Sequence, residues 1–303
     1  MSDSMRRHPF LVGILILLTV GFLVFLIFFG ATSAVGRGFS PFRDRVGVVP
    51  IKGVIMESKS AVDLINRYGE DSRVKAIVVR IDSPGGGVAP SQEIFDALSA
   101  VKKKKKVVVS MGSVAASGGY YIACAADRIV ANPGTLTGSI GALMHFANVE
   151  ELLKKVGLKS AVIKSGKYKD IGALTREMTP EERALLQGVV DDIYDQFLGT
   201  VSASRNISVE ELRPVADGRI FTGRQALKMR LVDELGDMER SVDVAANLAG
   251  IKGKPEVVYP KEKGVSIWRF IADEMAFSIV NRLRDEAEKV GYQGASWIPL
   301  VNS

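Results

Sequence analysis

The chain has 303 residues, of which 47% are hydrophobic, and a formal net charge of +6; beside an N-terminal segment this allows one large domain or two small ones. Its single cysteine, Cys124, excludes an internal disulfide and a cysteine-rich zinc site. Five of the positive charges stand together at residues 102–106, with no zinc-finger spacing or aromatic RNA-binding motif. We therefore expect no nucleic-acid partner, and we interpret the lysine run as a solvated loop.

The first notable segment in chain order is an uncharged apolar stretch at residues 10–30. It is long enough to cross the hydrocarbon core of a bilayer as a helix, and it exceeds the apolar part of a cleaved signal peptide. Arg6 and Arg7 precede it, which favours a cytoplasmic location for residues 1–9. The sequence thus predicts one uncleaved transmembrane anchor, a linker at residues 31–45, and a main body outside the cytoplasmic membrane.

From residue 46 onward, strand and helix patterns alternate. Apolar runs rich in valine and isoleucine predict strands at residues 46–55, 75–84, 106–112, 128–133 and 160–166. Apolar residues at helical spacing predict helices at residues 61–71, 90–103, 117–126, 150–157 and 179–201. The last helix has a strong start, with Thr179 as cap, Pro180 at the first position and Glu182 at the third. The alternation predicts an α/β domain with largely parallel strands at residues 46–255, followed by an amphipathic tail at residues 256–303.

The stretch SMGSVAASGGYYIAC, at residues 110–124, concentrates small residues where a predicted strand gives way to a helix. Ser117 is expected at the helix start, where the positive end of the helix dipole favours developing negative charge. The small neighbours would let a substrate backbone approach, as at a nucleophile elbow, although the G-x-S-x-G motif is absent. The alternative interpretation is a serine helix cap beside close-packing glycines.

A serine nucleophile needs a base, and the chain offers few. His8 lies on the far side of the apolar span, and His145 lies among apolar residues, where a structural role is more common. No cluster of His, Asp and Glu has metal-ligand spacing. A lysine is the remaining option, provided that an apolar site favours its neutral form. The segment KSGKYKDIG offers Lys164, Lys167 and Lys169, and the chemistry alone does not choose among them.

A third element is IDSPGGGV, at residues 81–88, where a buried strand ends in Ser-Pro and three glycines. Glycines there can aim backbone N–H groups at one point, as an oxyanion hole requires. Phosphate binding is the rival interpretation, but neither G-x-x-x-x-G-K-[ST] nor G-x-G-x-x-G is present.

Together these stretches resemble the signal peptide peptidase A family of membrane-anchored serine peptidases, in its short bacterial form. The resemblance covers about residues 46–250 and is carried by IDSPGGGV, SMGSVAASGGYYIACAADRIVANPGTLTGSIG, KSGKYKDIG with REMTPEER, and ADGRIFTGRQALKMRLVDELG. It implies the family's ClpP/crotonase-like α/β fold. One departure is Arg230, in KMRLVDELG, which stands where family members commonly have a glycine that ends a helix.

The resemblance implies roles for five residues. Ser117 matches the family's nucleophile and Lys169 its general base, while Ser139, in TGSIG, matches the serine that positions the lysine. Gly86 and Gly118 match the backbone donors of the oxyanion hole, although the triple glycine permits a shift of one position. No cofactor and no metal are implied.

The resemblance also implies that cleaved signal peptides and other apolar peptides are the substrates, at the bacterial cytoplasmic membrane. Because double-length family members carry the lysine in one repeat and the serine in the next, we expect a homo-oligomeric ring with sites shared between neighbours. Three rival functions remain open: an inactive, peptide-binding membrane scaffold, a crotonase-like acyl-CoA enzyme with acid/base carboxylates at its site, and a peptidase dedicated to one membrane protein.

Overall fold

The computed structural model describes residues 9–35 and 44–260, and in the first range it describes the side chains of residues 13–27. A helix, α1, covers Pro9–Val35. Among the described residues, no helix is found that is long and apolar enough to cross a membrane. The anchor expected at residues 10–30 stays a prediction.

The second described range forms an α/β unit around an eight-stranded sheet. Its strands are β1 (Arg45–Lys52), β2 (Val74–Ser83), β3 (Lys106–Ala116), β4 (Arg128–Ala131), β5 (Leu136–Gly138), β6 (Ile220–Thr222), β7 (Glu234–Leu235) and β8 (Glu256–Val258). Its helices are α2 (Lys59–Glu70), α3 (Val88–Lys102), α4 (Gly118–Ala123), α5 (Glu150–Lys155), α6 (Pro180–Arg205), α7 (Val209–Leu212), α8 (Gly223–Lys228) and α9 (Met238–Leu248).

The strands follow the order β6-β5-β3-β2-β1-β8, with β4 beside β3 and β7 beside β4. Every pair is parallel except β5 with β6. The mixed α/β class with a mostly parallel sheet is therefore confirmed. β3 is long enough to pair with β4 along its middle and with β5 at its carboxyl end.

The central strands are buried on both faces, which explains their nearly continuous apolar sequence. In β2, Ala76 and Val78 belong to the cluster beneath α9, whereas Ile77 and Val79 belong to the larger cluster on the opposite face. Helices α2, α3, α4 and α6 contribute buried side chains to that larger cluster.

The predicted start of the long helix is confirmed in detail. The Thr179 hydroxyl accepts a hydrogen bond from the Glu182 N–H, and the Glu182 carboxylate accepts one from the Thr179 N–H at 2.9 Å. Pro180 occupies the first helical position, where its missing N–H costs nothing.

The strand predicted at residues 160–166 is wrong for the described chain. These residues have no strand geometry, and all of them are exposed. The apolar run within SAVIKSG favours a strand locally, but a strand needs a hydrogen-bonded neighbour, and none of the described strands pairs with it.

The lysine run is only partly the solvated loop that was expected. Lys103 and Lys104 are exposed. The Lys105 ammonium, however, donates to the carbonyls of Tyr68 and Asp71, both at 2.6 Å, and so caps the carboxyl end of α2. Partial burial lowers the pKa of Lys105.

The carboxyl boundary of the unit lies at Val258, and Tyr259–Ser303 form a second unit of which only residues 259 and 260 are described. Residues Glu256–Val258, which were expected in the tail, form β8 and pair with β1. The Arg45 guanidinium binds the Glu256 carboxylate across this pair at 2.7 Å.

Arg230 takes the left-handed backbone that a glycine would take, with φ +61°. The Leu231 N–H donates to the Ala226 carbonyl at 2.9 Å and closes α8, while the Arg230 carbonyl accepts from Arg205 Nε at 3.0 Å. The turn is therefore made despite a cost of about 1 kcal/mol for a residue with a Cβ atom.

Cys124 packs as a buried apolar residue, only 2% exposed, and this burial raises the pKa of its thiol to about 11. We predict that iodoacetamide at pH 8 labels the native protein at least about a hundredfold more slowly than the protein unfolded in guanidinium chloride, because only the thiolate reacts. Mass spectrometry of the single cysteine measures both rates. Equal rates would show that the thiol is not buried.

Candidate active site

Four of the five predicted site residues lie at the carboxyl edge of the sheet. Gly86 follows β2, Ser117 and Gly118 follow β3, and Ser139 follows β5. In open α/β sheets, ligands bind in the crevice outside the carboxyl ends of the strands. The topology thus brings residues from distant parts of the sequence to one edge.

Ser117 and Ser139 are neighbours because of the strand register. Ala116 of β3 pairs with Gly138 of β5, and each serine directly follows its strand. The Ser117 N–H donates to the Gly138 carbonyl at 2.9 Å. Both serines have positive φ, +52° and +51°, and both line the same cleft.

The backbone of Ser117 is strained, with φ +52° and ψ −121°, a conformation that residues with a Cβ atom rarely adopt. Its carbonyl accepts the Tyr121 N–H at 2.9 Å and so begins α4. Its hydroxyl has no hydrogen-bond partner among the described residues and faces the cleft. The alternative role as a simple helix cap is not supported, because the side chain makes no capping bond.

Gly85 permits this turn. Its φ of +102° is accessible to glycine but strained for other residues. A Cβ atom built on Gly85 would lie 2.8 Å from both Ser117 Cβ and the Gly118 nitrogen. The glycine-rich loop therefore packs directly against the strained serine.

The three glycines after β2 differ in what their N–H groups bind. The Gly85 N–H donates to Ser83 Oγ at 3.1 Å, and the Gly87 N–H donates to the Ile55 carbonyl at 2.8 Å. Gly86 forms a parallel bridge with Ile55, but the two hydrogen bonds of this bridge are made by the Gly85 carbonyl, which accepts from the Ile55 N–H, and by the Gly87 N–H. Among the described residues, the Gly86 N–H has no acceptor.

Within the described ranges the Gly118 N–H is also without an acceptor, because the first residue of a helix has none one turn earlier. A Cβ atom built on Gly118 would lie 3.4 Å from the Gly86 nitrogen and 2.4 Å from Ser91 Oγ. The two free N–H groups are therefore close together beside Ser117. This is the arrangement that stabilises an oxyanion, and it favours Gly86 over its neighbours for that role.

Lys169 is not brought to the other four residues within this chain. It lies on an exposed turn and does not line the cavities beside Ser117. His145 is also exposed and lines a different cavity, together with Arg183. Neither candidate base therefore contacts Ser117 in a single chain.

The three candidate lysines differ in their partners. Lys164 binds the Asp170 carboxylate, and Lys167 binds the Glu181 carboxylate, which raises the pKa of Lys167. The Lys169 ammonium has no hydrogen bond or ion pair within the described part of the chain. Lys169 is therefore the one of the three whose amine is not already bound to a carboxylate among the described residues of its own chain.

Two cavities share Ser117 in their lining. A narrow cavity of about 40 Å³ lies next to Gly118 and is lined mainly by apolar groups, including Val88, Tyr121, Ile193 and Phe197. A wider cleft of about 680 Å³ continues past Ser139 toward α6. No group of three or more His, Cys, Asp or Glu side chains that could hold a metal is found in the described ranges.

Several supporting residues escaped sequence reasoning. Ser83 orients the glycine loop through its hydroxyl, and Ser91 donates to the Gly87 carbonyl at 2.8 Å. Ile55 holds both ends of the loop. Only Ser83 carried a signal, because a serine two residues before glycine often bonds the turn backbone.

Comparison with known proteins identifies the family. The model of peptidase family S49 matches residues 99–252, and that of Clp protease matches residues 59–134. The chain belongs to peptidase family S49. Membership of this family confirms the expected serine peptidase class, and the Clp protease match agrees with the expected fold.

Individual relatives also have the names of proteases or peptidases. A Synechocystis sp. protein with a protease name is 48% identical over 210 residues, which cover 69% of this chain and 76% of that protein. An Enterococcus faecium protein named for signal peptide peptidase SppA is 37% identical over 59% of this chain and 52% of its own length. Protease 4 of Salmonella typhi is 41% identical over 60% of this chain but only 29% of its own length.

We predict that Gly85→Ala lowers peptidase activity about a hundredfold, because the new Cβ atom displaces Ser117 and Gly118 from their positions. The strained backbone should lower the stability by about 1–3 kcal/mol. Steady-state cleavage of an apolar peptide and thermal unfolding measure the two effects separately.

The matched control is Gly134→Ala, because a Cβ atom on Gly134 meets no other group within 4 Å. It should keep wild-type activity. Wild-type activity in Gly85→Ala would contradict the assignment of the loop to the site.

Proposed function

We propose that this chain is a membrane-anchored serine endopeptidase that uses a Ser117–Lys169 dyad to degrade cleaved signal peptides and other apolar peptides. The observation that carries the proposal is the strained backbone of Ser117 beside two free N–H groups. Strain of this kind persists only where the surrounding structure holds it in place, and it is concentrated at active sites.

In the proposed mechanism, Ser117 Oγ attacks the scissile carbonyl while neutral Lys169 accepts its proton. The N–H groups of Gly86 and Gly118 stabilise the oxyanion. Protonated Lys169 then donates to the leaving amine, and water hydrolyses the acyl-enzyme with Lys169 again as base. In this mechanism Ser139, which directly follows β5 and so lies beside Ser117, hydrogen-bonds the lysine and orients it.

The dyad is proposed to form between neighbouring chains of a homo-oligomeric ring. Within one chain Lys169 is exposed and apart from Ser117. A neutral lysine needs an apolar environment, and a neighbouring chain could provide it. The same arrangement would cover a concentration of exposed apolar side chains, namely Leu143, Met144, Phe146, Leu152, Val156, Leu158, Val162, Ile163 and Leu174.

The apolar lining of the narrow cavity supports apolar peptides as substrates. The uncharged residues 10–30 support an anchor in the bacterial cytoplasmic membrane, with the catalytic domain on its extracytoplasmic side. Signal peptides left in the membrane after cleavage meet both requirements, because they are apolar and lie at the same surface.

The acyl-CoA alternative is less well supported. Its acid/base carboxylates would have to come from the cleft, where Asp191 and Asp217 are the carboxylates. Asp191 accepts from Gln187, and Arg219 lowers the pKa of Asp217 to about 2. A carboxylate that stays ionised is a poor general acid.

We predict that Ser117→Ala and Lys169→Ala each lower kcat by at least about a thousandfold in the full-length protein in detergent micelles. The first change removes the nucleophile, and the second removes the base that accepts its proton. Cleavage of an apolar peptide, followed from pH 6 to 10, provides the measurement. The wild-type rate should rise with pH, since only the neutral amine accepts the proton.

Ser113→Ala and Lys167→Ala are the matched controls, because each alters an exposed residue of the same segment. Both should cleave at close to the wild-type rate. Activity that survives Ser117→Ala would overturn the nucleophile assignment, and activity that survives Lys169→Ala would overturn the dyad.

Mixing the two inactive variants tests the shared site. Random assembly at equal amounts should restore about a quarter of wild-type activity, because that fraction of interfaces joins an intact Ser117 to an intact Lys169. Mixed assembly is verified first by differently tagged chains. Verified mixed rings without activity would show that each site uses one chain alone.

A further inference from the structure

The segment that carries Lys169 has no apolar anchor of its own. Between Ile140 and Glu182 no residue is buried, although the segment includes α5 and the turn around Lys169. Packing therefore does little to fix its position within one chain. Polar contacts are what hold it to the body of the domain.

The turn itself is closed by local hydrogen bonds. The N–H groups of Lys169, Ile171 and Ala173 donate to carbonyls three residues earlier, at 3.2, 3.1 and 3.0 Å. Bonds of such short range fix the shape of the turn. They do not fix its position relative to α6 or the sheet.

Arg176 supplies the missing link. Its Nε donates to Asp170 Oδ2 at 3.0 Å and its Nη2 to the Asp170 carbonyl at 3.2 Å. Its two terminal nitrogens also bind both carboxylate oxygens of Glu182, and Nη1 donates to the Glu177 carbonyl at 3.0 Å. These contacts use every N–H donor that a guanidinium has.

Both partners of Arg176 are themselves fixed. Glu182 is 3% exposed and closes the capping box of α6, a helix whose Phe197, Leu198 and Val201 lie in the core. Asp170, next to Lys169 in sequence, is also bound by Lys164. The guanidinium therefore connects the residue beside Lys169 to the first turn of a core helix.

We propose that Arg176 is a positioning residue of the peptidase: it fixes the turn that presents Lys169, through a two-sided fork between Asp170 and Glu182. The inference rests on the proposed role of Lys169 as the base. A second link, from Lys167 and Tyr168 to Glu181, joins side chains that are exposed. Exposed pairs contribute little, so the Arg176 fork is the principal constraint.

The fork depends on geometry and not on charge alone. A lysine at this position would keep the positive charge, but an ammonium cannot bind two carboxylates in a planar, bidentate manner. Arg176 lowers the pKa of Asp170 and lowers that of Glu182 to about 2. Both carboxylates therefore remain ionised above pH 6, and the fork itself does not titrate in the range used for activity measurements.

The test compares Arg176→Lys and Arg176→Ala in full-length protein in detergent micelles, with rates calculated per chain assembled in the oligomer fraction. For Arg176→Lys we expect kcat to fall by about tenfold to a hundredfold, because a misplaced base is inefficient, while KM changes little. The rising limb of the pH–rate profile should shift, since the surroundings of Lys169 change. For Arg176→Ala the loss should be larger.

Lys167→Ala is the matched control, because it removes only the exposed link of the same segment, and it should stay within about twofold of wild type. A purely structural role of Arg176 would lower thermal stability and the yield of oligomer but leave kcat and the pH profile unchanged. That result would overturn the proposal. If Arg176→Ala does not assemble, the Arg176→Lys result decides.

Lys169→Ala in the same series separates this inference from the proposed function. An active Lys169→Ala protein would overturn both. An inactive Lys169→Ala protein beside an Arg176→Lys protein with wild-type kcat and pH profile would overturn the positioning role alone.

Discussion

The site depends on one backbone constraint, the left-handed turn at Ser117 between β3 and α4. The hydrogen bond from its N–H to the Gly138 carbonyl holds the turn on one side, and the close approach of Gly85 holds it on the other. Because β3 is buried in the centre of the sheet, the surrounding structure can sustain a strain of about 1–3 kcal/mol there. The turn also exposes the serine hydroxyl and leaves the Gly118 N–H without an acceptor, so the geometry of the nucleophile and that of the oxyanion donors are set together.

The serine and lysine parts of the proposed dyad are built by different physical means. Ser117 follows a buried strand, and its neighbours are fixed by close packing and by the hydrogen bonds of the sheet. Lys169 lies in a segment without a buried residue, which is held by ionic contacts through Arg176. A packed core holds its side chains through many contacts, whereas this segment relies on a few ionic ones. The position of Lys169 therefore depends on the Arg176 contacts in a way that the position of Ser117 does not.

Sequence reasoning succeeded where local pattern and tertiary structure agree. Apolar runs predicted the central strands because those strands are buried on both faces, and Thr179 marked the start of α6 because the capping box is local. The same reasoning failed at residues 160–166, whose pattern favours a strand but which have no partner strand. It also could not choose among the three glycines at residues 85–87, because the choice depends on Ile55, which binds the flanking backbone from a distant part of the chain.

The lysines of residues 164–169 show why a residue without a partner is informative. A carboxylate beside a lysine stabilises its charged form, which suits a structural ion pair and disfavours a base. Lys164 and Lys167 have such partners and Lys169 has none among the described residues. Solvent, however, stabilises an exposed ammonium just as a carboxylate does. If Lys169 is the base, it must therefore lose its proton in surroundings that the single chain does not provide. On this view assembly of the ring does more than bring two residues together, because the desolvation that it imposes would also create the neutral amine. An unassembled chain would then be inactive toward other proteins at the membrane.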